Sequence, residues 1–569
     1  MILKKRQTEP KTFLVPALTA LYTDIKFESA IMSDYISLKR GVIMRKRWTR
    51  ALTAGLVLTM LAGCAGNNGG DAGTHAGGGK TEGGEAAGAT KFSISMRTLN
   101  VSYVEKNADI NKDKYVLELE KKTNTDLDIR LIPHNEYQDK MVQMFATNDI
   151  PDVVQGTGGI SGPELAGAVE NGVFLPLNDL LQEHGQDLLK FIPEEAWKRM
   201  TDSKTGNIYG IPEILSNPSR RATWIRTDLL EKVGKEIPTT VEETMDVLRA
   251  FKEAGVEQPY AGRQNFKYAD TFFGAYDVLG YLNQFKVFPD GKVKPTFFDE
   301  ENMKQAIGIY KTMHEEGLIS KEFATIESAD FKSIVTSGKA GMWSMNANEL
   351  PIWGTQLTEN VPDAKVALIP SPVGPDGKGG YAHYNPVTRS FFINAKAKDK
   401  AEDIVKFFNW MVSEDAELFF SFGIEGEDYQ VTDGKPVFEV PTDAAGADKM
   451  RYLNYWLWLV QDTTYNKRVS ELSDSGKELI SAFDNMLSKE GRRGIEFDPR
   501  LEAMVKYPEL NPKSDELPPL ILEHVLRMVY GREPIEDYGK VLEEYLSKGG
   551  NEIIEEATKR FNEKENAFE

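Results

Sequence analysis

Alternating apolar and polar residues mark the first strands of this chain. In Phe92–Met96 every second residue is apolar, which is typical of a strand with one buried face. A helical stretch follows around Tyr115–Lys122, and the alternation returns over Leu127–Leu131. The order strand, helix, strand predicts a largely parallel sheet with helices packed on it.

A glycine-rich loop follows the next predicted strand, Pro151–Val154. Residues 155–159 are Gln-Gly-Thr-Gly-Gly, and we expect this loop at the carboxyl end of the strand. Ligands of open α/β sheets bind at such ends. Because a glycine-rich loop is more often a plain turn, the loop alone is weak evidence of a site.

Two later segments repeat the strand-to-helix pattern. Thr240 is the predicted N-cap of a helix with Glu243 three residues on, the pattern of a capping box. Further along, Phe391–Ile393 predicts a strand, and the apolar spacing over 399–411 predicts the helix that follows it.

A secretory signal precedes these elements. A basic cluster over residues 45–50 comes before the apolar run Ala51–Leu61. This run covers about 16 Å, which is too short for a hydrocarbon core of about 30 Å. Residues 61–64 are Leu-Ala-Gly-Cys. This sequence resembles the lipobox of bacterial lipoproteins. That resemblance implies that the thiol of Cys64 takes a diacylglycerol and that Cys64 becomes the new N-terminus.

The residues before and after this signal are predicted to have different roles. Residues 1–43 contain acidic side chains and a proline-interrupted apolar stretch, unlike a signal. We expect them to be an upstream misreading, with residues 44–63 as the signal peptide. Residues 64–91 then form the lipidated cysteine and a flexible tether, because ten glycines lie in 65–91. Such a coil spans about 30 Å.

Charge and cysteine content exclude some classes of protein. The net charge of the chain is -19, and the first 63 residues carry 11 basic and 4 acidic side chains, so the mature chain has a charge of about -26. An acidic chain of this kind argues against nucleic-acid binding. Cys64 is the only cysteine, so no disulfide forms within the chain. A mature length of about 506 residues predicts two or more domains.

Seven short segments, in this order behind a lipobox, resemble the family 1 extracellular solute-binding proteins, the lipid-anchored receptors of bacterial ABC importers. Each segment is common by itself, but their order covers nearly the whole mature chain. The segments are Asn148–Val154, Gly206–Pro212, Trp224–Leu230 with Pro238–Thr240, Ser337–Met342, Ala367–Pro372, Phe392–Ile393 with its helix, and Phe422–Tyr429.

The resemblance implies an α/β chain with a two-lobed, periplasmic-binding-protein-like fold of type II. The lobes are joined by crossing strands, the first near 214–223 and the return near 390, with the ligand cleft between them. The expected first lobe is 92–215 with 391–440. The expected second lobe is 216–390 with 441–569, including a C-terminal helical extension.

The same resemblance implies a function. The protein would be a monomer anchored by Cys64 to the extracytoplasmic face of the cell membrane, binding a carbohydrate by closure of the cleft and delivering it to the permease subunits of an ABC importer. The segment Phe422–Tyr429 and the long tail after it resemble the branch for oligosaccharides. Many members of that branch carry a calcium loop after the capped helix. Glu253–Ala261 lacks the Asp and Asn ladder of that loop, so we predict no calcium, no other metal and no cofactor.

Positions within the matching segments suggest binding residues. We predict Gln155 and Thr157 at the strand end of the first lobe. In the second lobe we predict Trp343 and Asn346. A second rank comprises Trp353, Tyr384 and Arg389. Any one tryptophan is more often a core residue than a ligand platform.

A dense group of aromatic residues, by contrast, is expected in the core, with one member able to line the cleft: Tyr452, Tyr455, Trp456 and Trp458.

The motifs of common enzymes do not appear. The six histidines form no His-x-x-x-His pair, and the chain has no Gly-x-Ser-x-Gly elbow and no complete phosphate-binding loop. We therefore expect a protein that is not an enzyme. The alternatives are a surface glycosidase that uses two carboxylates, a lipoprotein that binds a peptide or another solute, and an adhesive lipoprotein.

Overall fold

The computed structural model describes residues 88–165, 167–280, 284–441, 443–462, 465–512, 516–565 and 567–568. The predicted upstream segment, the signal peptide, the lipidation site at Cys64 and the tether up to residue 87 lie outside the described residues. Those predictions therefore stay predictions.

Strands of the described residues are numbered in chain order. They are β1 Thr90–Arg97, β2 Thr125–Ile132, β3 Val153–Gly156, β4 Gly210–Leu215, β5 Arg221–Arg226, β6 Gln258–Ala261, β7 Phe285–Val287, β8 Val293–Pro295, β9 Ala340–Asn346, β10 Val366–Ile369, β11 Tyr381–Ala382, β12 Val387–Ile393, β13 Gln430–Thr432, β14 Lys435–Val437, β15 Gln461–Asp462, β16 Gly491–Arg492, β17 Glu496–Phe497 and β18 Ala567–Phe568.

Helices of the described residues cover the sheets and form the C-terminal extension. The α-helices are Ser102–Lys106, Lys114–Thr123, Tyr137–Thr147, Asn178–His184, Gln186–Phe191, Glu194–Arg199, Thr227–Val233, Val241–Glu253, Asp270–Ala275, Glu300–Glu315, Ser328–Thr336, Leu350–Asn360, Ala401–Trp410, Glu414–Phe422, Ala444–Arg451, Lys467–Ser470, Asp474–Ala482, Ser488–Glu490, Glu502–Lys506, Pro519–Val529, Tyr538–Tyr545 and Asn551–Glu563.

Lobe 1 is built on a six-stranded sheet in the order β15-β4-β12-β3-β1-β2. Strand β1 is parallel to β2 and β3, and β12 is antiparallel to β3 and β4. Phe92 and Ile94 pack into the core on one face, whereas Val154 and Phe392 belong to a separate core on the other. Because apolar layers cover both faces, the sheet ends remain as the place where polar side chains meet solvent.

Lobe 2 is built on a four-stranded sheet in the order β10-β5-β9-β6. Strand β5 is antiparallel to β9 and β10, and β6 is parallel to β9. Two cores again enclose the sheet. Ile225 and Met342 pack into the larger core, and Trp224 and Trp343 pack into the smaller one. The two lobes together are the two-lobed α/β fold that the sequence predicted.

The local predictions are largely confirmed. The predicted alternating segments lie in β1 and β2, and the predicted capping box is present. The prediction of one buried face was wrong for β1, because residues 92–96 are all buried and core residues cover both faces of the sheet. Thr240 Oγ1 accepts a hydrogen bond from the backbone N–H of Glu243 at 3.1 Å, and Glu243 Oε2 accepts one from the N–H of Thr240 at 3.2 Å. One boundary differs, because Gln155 belongs to β3 itself, where it pairs with Phe391, rather than to the loop after it.

Short segments carry the chain between the lobes. The first crossing is at residues 216–220, between β4 and β5, inside the predicted range of 214–223. The return falls at 383–386, between β11 and β12, just before the predicted position near 390. A third crossing lies between Arg468, which pairs with Glu417 of lobe 1 at 2.7 Å, and Leu479, which packs into the smaller core of lobe 2.

The predicted division at residue 440 needs a correction. We assigned residues 441–569 to lobe 2, but β15 pairs with β4 in the lobe 1 sheet. Tyr452 and Trp456 lie in the lobe 1 core, fully buried. Lobe 1 therefore continues beyond residue 440, because the aromatic group that precedes β15 completes its core, and Arg468 after β15 still pairs with Glu417 of lobe 1.

The C-terminal extension packs on lobe 2 and also contacts lobe 1. Its helices contribute buried residues to the larger core of lobe 2. The Arg199 guanidinium group of lobe 1 pairs with Glu496 of β17 at 2.5 Å. The backbone N–H of Gly159 donates to Asp498 Oδ2 at 3.1 Å. These contacts join the lobes beside the crossing segments.

Candidate functional site

The carboxyl ends of β1 and β3 meet at one edge of the lobe 1 sheet. Arg97 is the last residue of β1, and its backbone N–H donates to Gln155 Oε1 at 2.8 Å. Gln155 is 1% exposed. Its Nε2 is buried and has no hydrogen-bond partner among the described residues. The predicted Gln155 thus lies at the expected sheet edge, but its amide nitrogen is buried in this structure.

Thr157 lies directly after β3 and is held by one carboxyl group. Its backbone N–H and its hydroxyl group both donate to Glu164 Oε1, at 2.7 and 2.6 Å. The Thr157 hydroxyl therefore has its proton engaged, and toward a ligand it can only accept.

Two predicted residues of lobe 2 contact each other. Asn346 ends β9, and its Oδ1 accepts a hydrogen bond from the Tyr384 hydroxyl at 3.1 Å. Both side chains are half-buried. Tyr384 belongs to the second crossing segment, so this hydrogen bond joins the strand end to the boundary between the lobes.

Two arginines lie close to the Tyr384 ring. The guanidinium carbons of Arg220 and Arg221 lie 4.8 and 5.0 Å from its centroid. Arg221 also lies 5.1 Å from the ring of Tyr268 and pairs with Asp270 at 2.6 Å. Cation–π contact on both arginines fixes the orientation of the phenol ring beside the cleft. We call Arg220, Asn346 and Tyr384 the lobe 2 site.

Trp343 is a correction to the predicted site. It is 1% exposed and packs against Trp224, with ring centroids 5.7 Å apart, in the smaller core of lobe 2. Side chains alternate between the faces of a strand, so Trp343 and Asn346, three residues apart, point to opposite faces. Of the two, only Asn346 is placed to meet a ligand.

Arg389 is a second correction. It is 3% exposed, and its guanidinium group forms a bidentate ion pair with Glu213 on the neighbouring strand. It also donates to the backbone carbonyl groups of Tyr455 and Trp456. A guanidinium group engaged in this way cannot fork onto a ligand, so Arg389 stabilises lobe 1 instead.

Trp353 lies on the helix Leu350–Asn360, near a half-buried carboxyl group. Its half-buried ring contacts Phe331, with centroids 6.0 Å apart, and Lys332 Nζ lies 5.8 Å from its centre. Burial raises the pKa of the nearby Glu349 carboxyl group. Part of the Trp353 ring is accessible, and the Arg220 charge of the lobe 2 site acts on the same Glu349 carboxyl group.

Charges from the two lobes meet at this place. The cations of Lys332, Arg220 and Arg451 all act on the Glu349 carboxyl group and oppose the rise in its pKa. Arg451 belongs to lobe 1, and its charge also acts on His134, which follows β2. Burial lowers the pKa of His134, and the charge of Arg97 lowers it further. The Arg451 charge of lobe 1 thus acts on groups of both lobes.

The aromatic group at 452–458 is mostly core, as predicted. Tyr452, Trp456 and Trp458 are buried, whereas Tyr455 is half-buried. The Arg451 guanidinium carbon lies 5.5 Å from the centre of the Tyr455 ring. Tyr455 is thus the most accessible member of the group.

Sequence reasoning missed the arginines of the site. Arg220 and Arg221 lie at the end of the predicted first crossing, and a ligand cleft lies beside such crossings, so their position was the available signal. Arg451 gave no such signal, because its helix was assigned to the wrong lobe.

Metal ligands do not gather in the part of the chain that the structure describes. No three His, Cys, Asp or Glu side chains there could hold a metal ion together. The absence of calcium stays a prediction. In the same residues, the helices are all too short or too polar to cross a membrane.

The architecture has counterparts among known proteins. A family model described as bacterial extracellular solute-binding protein matches residues 106–418, more than half of the chain. The chain belongs to this family. The resemblance stated from the sequence is thereby confirmed, and members of the family are substrate-binding proteins.

Relatives span almost the whole chain. The lipoprotein LipO of Bacillus subtilis (strain 168) is 24% identical over 536 residues, which cover 91% of this chain and 98% of LipO. The polygalacturonan/rhamnogalacturonan-binding protein YtcQ of the same organism is 24% identical over 471 residues, which cover 79% of this chain and 88% of YtcQ.

A solved structure has the same fold. The Streptococcus pneumoniae ABC-transporter substrate-binding protein FusA, in complex with kestose, superposes with a TM-score of 0.60. The two chains are 18% identical, and the superposition covers 84% of this chain and 99% of FusA. The two-lobed fold predicted from the sequence is the fold of this solute-binding protein.

Proposed function

We propose that this protein binds an oligosaccharide in the cleft between its lobes and delivers it to an ABC importer. The observation that carries the proposal is the contact between Tyr384 and Asn346 at the lobe boundary. An aromatic face beside fixed polar groups is the composition of a sugar-binding site. The names of the relatives agree with it, since YtcQ is named for polygalacturonan and FusA for fructooligosaccharide.

Closure of the cleft supplies the signal to the importer. Short crossings at 216–220 and 383–386 join the lobes, so hinge rotation there brings the lobe 1 sheet edge onto the lobe 2 site. A ligand that contacts both lobes favours the closed state because only that state offers all its contacts. The permease subunits then recognise the closed shape. The protein acts as a monomer and forms no covalent intermediate.

Anchoring completes the proposed role. We propose that Cys64 carries the lipid and that the glycine-rich tether holds the receptor at the extracytoplasmic face of the cell membrane. The lipobox-like sequence supports this assignment, as does the similarity to the lipoprotein LipO. A C64S variant expressed in the cell tests it. The proposal expects this variant in the medium, and retention at the membrane contradicts it.

A thermal-shift screen tests the binding function. A ligand present at 100 times its Kd stabilises the folded state by about 2.7 kcal/mol. We expect at least one oligosaccharide to raise the Tm, and we expect monosaccharides to raise it less. A flat response to every glycan combined with a response to peptides contradicts the proposal.

Product analysis separates the receptor from a glycosidase. After long incubation with the oligosaccharide that raises the Tm most, a receptor leaves the oligosaccharide intact. Release of shorter sugars at catalytic rates would establish the enzyme instead.

A further inference from the structure

Residues 495–498 of the C-terminal extension lie between the two lobes, and we call them the interlobe strip. Glu496 and Phe497 form β17, and side chains alternate between the two faces of an extended segment. Ile495 and Phe497 pack into the larger core of lobe 2. Glu496 and Asp498, on the other face, contact lobe 1. The interlobe strip therefore presents an apolar face to lobe 2 and a polar face to lobe 1.

The apolar face fixes the interlobe strip to lobe 2. The backbone N–H of Ile495 donates to the Phe285 carbonyl oxygen at 2.8 Å. The aromatic rings of Phe285 and Phe497 lie 5.4 Å apart in an edge-to-face arrangement. Strand β17 also pairs with β18, whose Ala567 packs against the same core. Because backbone and side chains are both engaged, the interlobe strip moves with lobe 2.

The polar face contacts lobe 1 through buried and exposed ion pairs. The Arg199 guanidinium group pairs with Glu496 at 2.5 Å, and the Arg199 side chain is 2% exposed. The guanidinium carbon also lies 4.5 Å from the centre of the Phe568 ring. Directly before the interlobe strip, Arg493 pairs with Glu195 of lobe 1 in a more exposed position. Two ion pairs thus cross the lobe boundary side by side.

Asp498 contacts the glycine-rich loop that follows β3. Its Oδ2 accepts a hydrogen bond from the backbone N–H of Gly159 at 3.1 Å. A Cβ at Gly159 would collide with Asp498 and lie 2.9 Å from the Arg199 carbonyl oxygen, so this approach requires glycine. The next backbone N–H, of Ile160, donates to the same carbonyl oxygen at 3.2 Å. Since Thr157 lies two residues before Gly159, the interlobe strip reaches the loop of a predicted binding residue.

Rotation of the lobes has to change these contacts, because the two sides belong to different lobes. A separation beyond about 3.5 Å is too long for a hydrogen bond, so an increase of about 0.5 Å between Gly159 and Asp498 breaks theirs. Burial raises the pKa of the Glu496 carboxyl group, and the charge of Arg199 opposes the rise. Desolvation thus offsets the attraction within the pair, and its strict geometry matters more for the position of the lobes than for stability.

We propose that the interlobe strip is a latch. Its contacts with Arg199 and Gly159 hold the two lobes at one relative angle, and rotation of the lobes has to break them. The latch goes beyond the proposed function, because it assigns to the C-terminal extension control over how freely the cleft closes. It acts in the protein without sugar, so its test needs no ligand.

Distances between spin labels on the two lobes test the latch. Cys64 is the only cysteine of the chain, so C64S leaves L117C and E359C as the labelled positions. Leu117 lies exposed on a helix of lobe 1, and Glu359 lies exposed on a helix of lobe 2. Pulsed electron spin resonance without added sugar then reports the distribution of interlobe distances. We expect one narrow distribution for the otherwise unchanged protein.

Two variants remove the contacts of the latch. R199M/E496M replaces both charges together, so no unpaired buried charge remains. D498A removes the acceptor of the Gly159 N–H. We expect each variant to broaden the distance distribution and to add a population at a different distance. In D498A, amide exchange of peptides containing Gly159 should also become about fivefold faster.

E556A is the matched control. The Glu556 carboxyl group accepts from the backbone N–H groups of Glu502 and Ala503, both at 2.8 Å, so these contacts lie within the C-terminal extension. Its loss loosens the extension without touching lobe 1. The distance distribution of E556A should therefore match that of the parent protein.

The outcomes decide the latch separately from the proposed function. If R199M/E496M and D498A fold and keep the parent distribution, the latch is wrong. If neither folds, R493Q decides, because Arg493 is exposed and its pair with Glu195 crosses the same boundary. A broader distribution in R493Q then supports the latch, and an unchanged one contradicts it. A thermal-shift screen without any binding sugar would overturn the proposed function and leave the latch standing.

Discussion

The Tyr384 hydroxyl group donates a hydrogen bond to Asn346 Oδ1 at 3.1 Å. The two residues are 38 positions apart, one on a crossing segment and one at a strand end. The contact fixes the aromatic ring at the lobe boundary while both side chains stay half-buried. The ligand affinity should therefore depend on the ring and, to a smaller extent, on the hydroxyl group.

Replacing Tyr384 tests this division. Tyr384→Ala removes the ring and should weaken oligosaccharide binding at least about tenfold. Tyr384→Phe keeps the ring and loses one hydrogen bond, so we expect a loss of about fivefold. Titration calorimetry on folded protein measures both. Tyr507→Phe, which loses a hydrogen bond to Glu552 in the C-terminal extension, is the control and should bind normally.

Trp343 should behave as a core residue. Its indole ring is buried against Trp224, so Trp343→Ala leaves a cavity and should lower the free energy of unfolding by about 3–5 kcal/mol. Trp353→Ala should cost less, because the ring of Trp353 is half-buried. Urea unfolding measures both values. A Trp343→Ala protein with unchanged stability and lost binding would restore the original prediction of a ligand platform.

Breaking the buried Arg389–Glu213 pair should destabilise lobe 1. Removing one partner leaves an uncompensated buried charge, so Arg389→Ala should lower the free energy of unfolding by about 3–5 kcal/mol. Asp126→Ala breaks the exposed pair with Lys91 and should cost less than about 1 kcal/mol. Chemical denaturation compares the two. Equal small losses would show that the buried pair contributes no more than a surface pair.

His383 should make stability depend on pH. Its Nδ1 lies 2.8 Å from the Tyr384 carbonyl oxygen, and its Nε2 lies 3.4 Å from Arg493 Nη2. A neutral ring with its proton on Nδ1 satisfies both, since the carbonyl only accepts and the guanidinium only donates. Burial, assisted by the charge of Arg493, lowers the pKa of His383 from 6.5 to about 4.

The sign of the effect follows from the two states. Between about pH 6.5 and about pH 4 the unfolded chain binds the proton and the folded chain does not, so stability falls as pH is lowered through this range. When pH is lowered from about 7 to about 4.5, the Tm of His383→Gln should fall less than the Tm of the parent protein. Parallel melting curves would argue against a buried neutral ring.

Local structure could be predicted because its causes are close together in the sequence. The strand at Phe92–Met96 and the capping box of Thr240 and Glu243 each depend on a few adjacent residues, and both are present. The burial of both faces of that strand depends on distant parts of the chain and was not predicted. The two-lobed fold followed from the order of the matching segments. The lobe boundary after residue 440 could not be predicted, because the pairing of β15 with β4 joins residues about 250 positions apart.

Site residues were harder to predict, for the same reason. Trp343 and Asn346 both follow a matching segment, but the sheet of lobe 2 is buried on both faces, so the apolar pattern does not tell which face meets the cleft. Arg389 forms its ion pair with Glu213, which lies 176 positions away in the sequence. Tyr384 and Asn346 are the predicted binding residues that lie at the lobe boundary, Tyr384 on a crossing segment and Asn346 at the end of β9.

Hydrogen exchange with bound ligand tests the central claim, that the site spans both lobes. The measurement compares amide exchange with and without the oligosaccharide that raises the Tm most. The account predicts slower exchange in peptides containing Arg97 and Gln155 of lobe 1 and in peptides containing Asn346 and Tyr384 of lobe 2. Slower exchange confined to one lobe, with the peptides of the other unchanged, would contradict it.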